Sequence, residues 1–144
     1  MSFSNEFLYD FKPVYEGILM AKDVKPERAI VEVIDEEQEG AGMFEPAGAL
    51  EVLEQIGDDV NTLTIYTDRA AYFWEFVETM YEKNGLVSLI VSKKHLGLAK
   101  KTVGCSSIFL FDFEWDGAFY EKQIALGKHY IPIHKRAWRT AENL

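Results

Sequence analysis

AIVEVIDEE, residues 29–37, is a β-branched run interrupted only by Glu32 that closes on acids, and it repeats in outline three more times along the chain. The other runs are LTIYTD at 63–68, LVSLIVSK at 86–93 and SIFLFD at 107–112. Short apolar runs of this kind read as strands buried on both faces. Stretches with helical spacing separate them, and alternation of strand with helix makes parallel β-α-β packing the natural solution.

Outward from the first run, DEEQEGAGMFEP forms a loop. A helix follows with Pro46 in its first turn, Leu50, Leu53 and Ile56 on its inner stripe and Gly57 as its stop. Asp68 is placed to cap a long helix carrying Tyr72, Phe73, Phe76, Val77, Met80 and Tyr81, ended by Asn84-Gly85. Ser92 opens a short basic helix, SKKHLGLAKK, and Gly104 leads into the fourth run. GAFYEKQIALGK reads as helical, and HYIPI at 129–133 as an edge strand, because Pro132 cannot donate to a ladder. At the start, Phe7 to Phe11 suggest a short strand and Pro13 a helix with Val14, Ile18 and Leu19 on one side; a pair of strands is the alternative. The expectation is one Rossmann-like α/β domain over residues 1–144. It is three-layered, with a mainly parallel sheet of 4–5 strands flanked by helices, and the arrangement of residues 1–25 stays open.

The chain has 144 residues, 48% hydrophobic and 27% charged, the balance of a folded globule with one core. Its net charge of −9 makes polyanions poor partners, so nucleic acid is not expected. No run approaches the roughly 20 apolar residues of a bilayer crossing, and MSFSNEFLYD lacks the profile of a secretory signal, so a cytoplasmic location away from membranes is expected. Cys105 is alone and reads as a buried thiol, with no disulfide to form within the chain. His95, His129 and His134 lack close metal-ligand spacing. Residues 32–45 carry six acids, while Lys128, His129, His134, Lys135, Arg136 and Arg139 make the last stretch basic. These runs read as solvated surface, or as partners between subunits or toward a neighbouring domain of a larger protein.

In an open parallel sheet, ligands bind at the carboxyl ends of the strands where the strand order reverses. The candidates are Asp35, Gly40, Gly42, Thr67, Asp68, Ser92, Lys93, Asp112, Glu114 and Asp116, with Asp35, Gly40, Gly42, Thr67, Asp68 and Asp112 forming the ligand-binding set. Gly40, Gly42 and Gly48 resemble the glycine-rich turn of dinucleotide- and S-adenosylmethionine-binding folds, and Asp68 stands where those folds carry a ribose-binding acid. The spacing departs from G-x-G-x-x-G, and Asp35, Glu36, Glu37 and Glu39 would repel a pyrophosphate. S-adenosylmethionine is a sulfonium cation, so the acids disfavour it less.

A second resemblance is to the haloacid-dehalogenase superfamily: IVEVID with Asp35 and Glu37, LTIYT with Thr67, then Lys93 or Lys94, then IFLFD with Asp112 and Asp116. It implies covalent attack by Asp35, a hydrogen bond from Thr67, charge neutralisation by Lys93, and Mg²⁺ held by Asp35, Asp112 and Asp116. Glu37 departs from the family's Asp. A receiver domain also uses acidic strand ends, but its Lys would close the last core strand, whereas here Lys93 follows the third. No serine occupies a nucleophile elbow. Phe109, Phe111, Phe113, Trp115, Phe119 and Tyr120 read as core, and Trp74 and Trp138 as candidates for a protein interface. The reading that results is a binding, regulatory or interaction module, self-associating or part of a larger protein, with no cofactor assigned. The alternative is a small-molecule enzyme, phosphatase-like or methyltransferase-like.

Overall fold

The computed structural model describes residues 10–36, 48–98, 107–114 and 128–133. Its strands are β1 Ile30–Ile34, β2 Thr62–Tyr66, β3 Val87–Val91, β4 Ile108–Asp112 and β5 His129–Pro132. They form one sheet in the order β3-β2-β1-β4-β5, and every pairing is parallel. The four apolar runs are the inner strands and one edge, and HYIPI is the other edge, where a proline is tolerated. The Rossmann-like α/β fold expected from the alternation is the fold observed. Because β1 leads to β2 on one side and β4 lies on the other, the strand order reverses between β1 and β4.

Side chains alternate between the two faces of this sheet. Val31, Val33, Leu63, Ile65, Phe109 and Phe111 line one face, beneath the helices. Ile34, Tyr66, Leu110 and Tyr130 line the other, joined by Val91 and Leu96. On that second face the buried Lys128 ammonium donates to Glu32 Oε1 at 2.6 Å, bridging β1 and the start of β5. Burial and the Glu32 charge push the Tyr66 phenol up to about 12.

Three helices cover the first face. The helix α1, Lys12–Ala21, resolves the open question at the start of the chain. Its inner stripe is Phe11, Tyr15 and Leu19, whereas Val14 is turned outward and 40% exposed. Phe11 and Tyr15 set their rings against Phe111 at 5.7 and 6.2 Å, and the Tyr15 hydroxyl donates to the Asp59 carbonyl. The suggested strand over Phe7–Phe11 falls mostly outside the described residues. The helix α2, Ala49–Ile56, buries Ala49, Val52, Leu53 and Ile56, so the stripe is shifted from Leu50, which is only partly covered. A 3₁₀ turn, Ala70–Phe73, buries Phe73 and leads into α3, Trp74–Asn84, which buries Phe76 and Met80. Gly85 ends α3 at φ 70°, a left-handed conformation that only glycine adopts at little cost. Pro46, Cys105, Trp115, Phe119, Tyr120, Trp138 and most of GAFYEKQIALGK lie outside the described residues. No described helix is long and apolar enough to cross a membrane.

Candidate functional site

Asp35 is the first residue past β1, and its N–H still donates to the Tyr66 carbonyl, so the extended backbone continues through it. Its side chain is fully buried. A buried carboxylate needs partners, and it has three donors. Arg69 grips it as a fork, Nε to Oδ2 at 2.7 Å and Nη2 to Oδ1 at 2.8 Å, and Thr67 Oγ1 donates to Oδ2 at 2.8 Å. Thr67 Oγ1 also accepts the Arg69 N–H at 3.0 Å, which folds the loop back so that the arginine can reach. Burial would raise the Asp35 carboxyl, but the hydrogen bonds from Arg69 and Thr67 and the guanidinium charge outweigh it and hold it below the usual value. The arginine lies over the ring of Tyr72, 4.0 Å from its centroid.

Glu36 extends the same cluster. Its Oε1 lies 3.4 Å from Arg69 Nη2 and its Oε2 accepts the Ala49 N–H, the first of α2, at 3.1 Å. Burial and the neighbouring Asp35 charge raise it to about 7. A Cβ at Gly48 would meet the Glu36 carboxylate, which would have to swing aside. Glu51 Oε2 accepts the Gly48 N–H at 2.9 Å. The first N–H groups of α2 are therefore taken by two carboxylates, at the place where a dinucleotide fold receives pyrophosphate.

The second rim aspartate behaves differently. Ile34 is paired with Asp112 in the β1–β4 register, so Phe113, not Asp112, stands beside Asp35. This one-residue offset sends the two side chains to opposite faces of the sheet. Asp112 turns toward the Ile34, Tyr66 and Tyr130 side, where the Tyr130 hydroxyl donates to Oδ2 and the Glu114 N–H to Oδ1 at 2.9 Å. Lys93 Nζ pairs with Glu114 on the same rim.

Asp68 does not cap α3, whose preceding residue is Phe73. Its exposed Oδ1 accepts Ser92 Oγ at 2.6 Å and the Lys93 N–H at 3.2 Å, tying the end of β2 to the turn after β3. The Ser92 hydrogen bond, with the Lys93 N–H, lowers its carboxyl. The fold thus brings Asp35, Thr67, Asp68, Lys93 and Asp112 to one rim. Two direct contacts join members of this set, Thr67 to Asp35 and the Lys93 N–H to Asp68, and Gly40, Gly42 and Asp116 lie outside the described residues. Among the described residues no three metal-ligating side chains converge. Arg69, Glu36 and Tyr130 were not on the list of candidates. The signal for Arg69 was a cation two residues beyond a strand-end threonine, within reach of a strand-end acid.

Beside this rim a surface cavity of about 440 Å³ opens between α2 and α3, with Leu50, Phe76 and Met80 as apolar lining and Glu54, Glu75 and Tyr72 among its other walls. Tyr72 is shared, since its ring also carries Arg69. No family model, curated protein or solved structure matches the chain.

Proposed function

We propose that the chain is a binding and regulatory module whose ligand seats at the carboxyl ends of β1 and β2, beside the Asp35–Arg69 fork. The observation that carries this reading is the grip on Asp35: Arg69 and Thr67 give its two oxygens three hydrogen bonds from within the protein. A carboxylate held this way fixes the direction of an arginine and a threonine, which is what a recognition surface requires. The cavity at Tyr72 supports the reading by offering apolar surface next to these fixed polar groups. Carboxylates on the α2 N-terminus favour a neutral or cationic ligand over a pyrophosphate.

The Asp35–Thr67 hydrogen bond favours a second reading, phosphatase-like chemistry, because these are the residues that the haloacid-dehalogenase resemblance makes nucleophile and hydroxyl partner. Its Mg²⁺ does not fit the described residues, since Asp35 and Asp112 diverge across the sheet. Turnover separates the two readings. With Mg²⁺ and p-nitrophenyl phosphate, the module reading expects no hydrolysis above background. Hydrolysis abolished by Asp35→Asn would overturn it. A thermal shift with S-adenosylmethionine, and none with Mg²⁺, would favour the methyltransferase-like alternative instead, since a ligand that binds only the folded chain raises its stability.

A further inference from the structure

Among the described residues no strand pairs with the outer side of β3, and this edge is apolar. Val87 and Leu89, on the face away from the helices, are 56% and 60% exposed, and Trp74 and Tyr81 on α3 are 52% and 62% exposed. These residues surround one edge. Glu75, Thr79 and Lys83 turn α3 toward the cavity it shares with α2. Trp74 and Tyr81, two turns apart on the opposite flank, therefore face outward past β3.

The backbone of β3 gives this edge its chemistry. Thr67 N–H donates to the Val91 carbonyl, so Val91, Leu89 and Val87 direct their peptide groups to β2. The alternate residues, Ser88 and Ile90, present theirs to the outside. Exposed edges are ordinarily guarded by lysine, proline or a bulge. The strand VSLIV has none of these and no charge, although the chain as a whole carries −9.

We propose that the free edge of β3, together with the Trp74–Tyr81 flank of α3, is a homodimer interface in which a second copy adds its own β3 antiparallel. A two-fold axis at Leu89 lets Ser88 of each copy pair with Ile90 of the other, joining the two sheets into one. Leu89 then meets its own counterpart on one face, and the α3 helices run side by side on the other. The occupant is a second copy because an uncharged strand is complementary to itself under that axis. Two molecules of the same negative charge meet there with no like charges on the paired strands. The exposed parts of Trp74 and Tyr81 offer on the order of 100 Å² each. With Val87, Leu89 and the strand backbone, the pair buries on the order of 1,000 Å², the lower end for a specific interface, so the dimer is of modest affinity. This inference is independent of what the rim binds.

The test is sedimentation velocity on the full chain over roughly micromolar to millimolar concentrations. The expected result is a mass rising from one chain to two, with Leu89→Lys weakening association at least tenfold while circular dichroism stays that of the wild type. Leu89→Cys in a Cys105→Ser background forms a covalent dimer on mild oxidation, which reads the axis directly and serves if the lysine variant fails to fold. A wild-type chain that stays monomeric throughout, including one that accepts only a strand from a different protein, overturns the proposal. So does a dimer that neither Leu89 variant affects.

Discussion

Asp35 and Asp112 end neighbouring parallel strands at the same rim, and in sequence each closes an apolar run, yet their surroundings have little in common. Asp35 lies on the helix-covered side in the grip of Arg69 and Thr67. Asp112 lies on the other side against a tyrosine hydroxyl and a backbone N–H. The difference comes from one residue of register. Ile34 is the last residue of β1 whereas Asp112 is itself the last of β4, and these two are partners. In a structure with a two-residue side-chain period, that offset matters more than the identity of the acid. A charged partner on one side and neutral donors on the other also make the two aspartates differ in what each needs from its neighbours.

The sharpest way to break the comparison is to remove the charged partner. Arg69→Ala leaves a buried carboxylate with Thr67 alone, and the expected loss in urea unfolding is about 2–3 kcal/mol, below the full cost for a buried pair because Arg69 is itself partly exposed. Asp35→Asn combined with Arg69→Ala is expected to cost less than the two single changes together. Strict additivity would mean that the fork contributes nothing.

Next in size is the pH response of the Asp35 side. Glu36 is raised to about 7 in the folded chain, so its contribution is fully present below its ordinary value and is lost as pH rises through 7. Stability should fall by about 2 kcal/mol between roughly pH 4.5 and 7.5. Glu36→Gln should flatten that slope. Asp35 acts with the opposite sign: its carboxyl is lowered, so its contribution is present above the ordinary Asp value and is lost only as pH falls through the lowered one. A wild-type slope unchanged by Glu36→Gln would show that the carboxylates are not crowded as described.

On the Asp112 side the donor is neutral. Tyr130→Phe is expected to cost about 1–2 kcal/mol by chemical denaturation, less than Arg69→Ala. An equal or larger loss would erase the distinction between the two aspartates. The smallest effect belongs to Asp68, which is exposed: Ser92→Ala should leave the urea midpoint within error of the wild type.

The strands were legible because residues buried on both faces leave continuous apolar runs, and the parallel order followed from the helices between them. The common rim was legible for the same reason, since parallel strands end together. The offset between β1 and β4 was not, because AIVEVID and SIFLFD look alike and only packing aligns Ile34 with Asp112. Tyr130 was hidden by distance along the chain, 18 residues from the acid it serves. Asp68 looked like a helix cap because it precedes a helical pattern, but the intervening 3₁₀ turn moves α3 away from it. Val14 and Leu50 were assigned inward on spacing that fits equally well a helix rotated by one position, and the burial of Tyr15 and Ala49 shows which rotation packs.

The strand order has a consequence for the chain as it is made. Translation delivers β1, β2 and β3 in sequence and stacks them in one direction, so β1 stays unpaired on its other side until residues 108–112 leave the ribosome. For that interval the ribbon destined for the middle of the sheet is a nascent sticky margin. A messenger cut short before codon 108 should yield an aggregating product, however well its first three strands have formed.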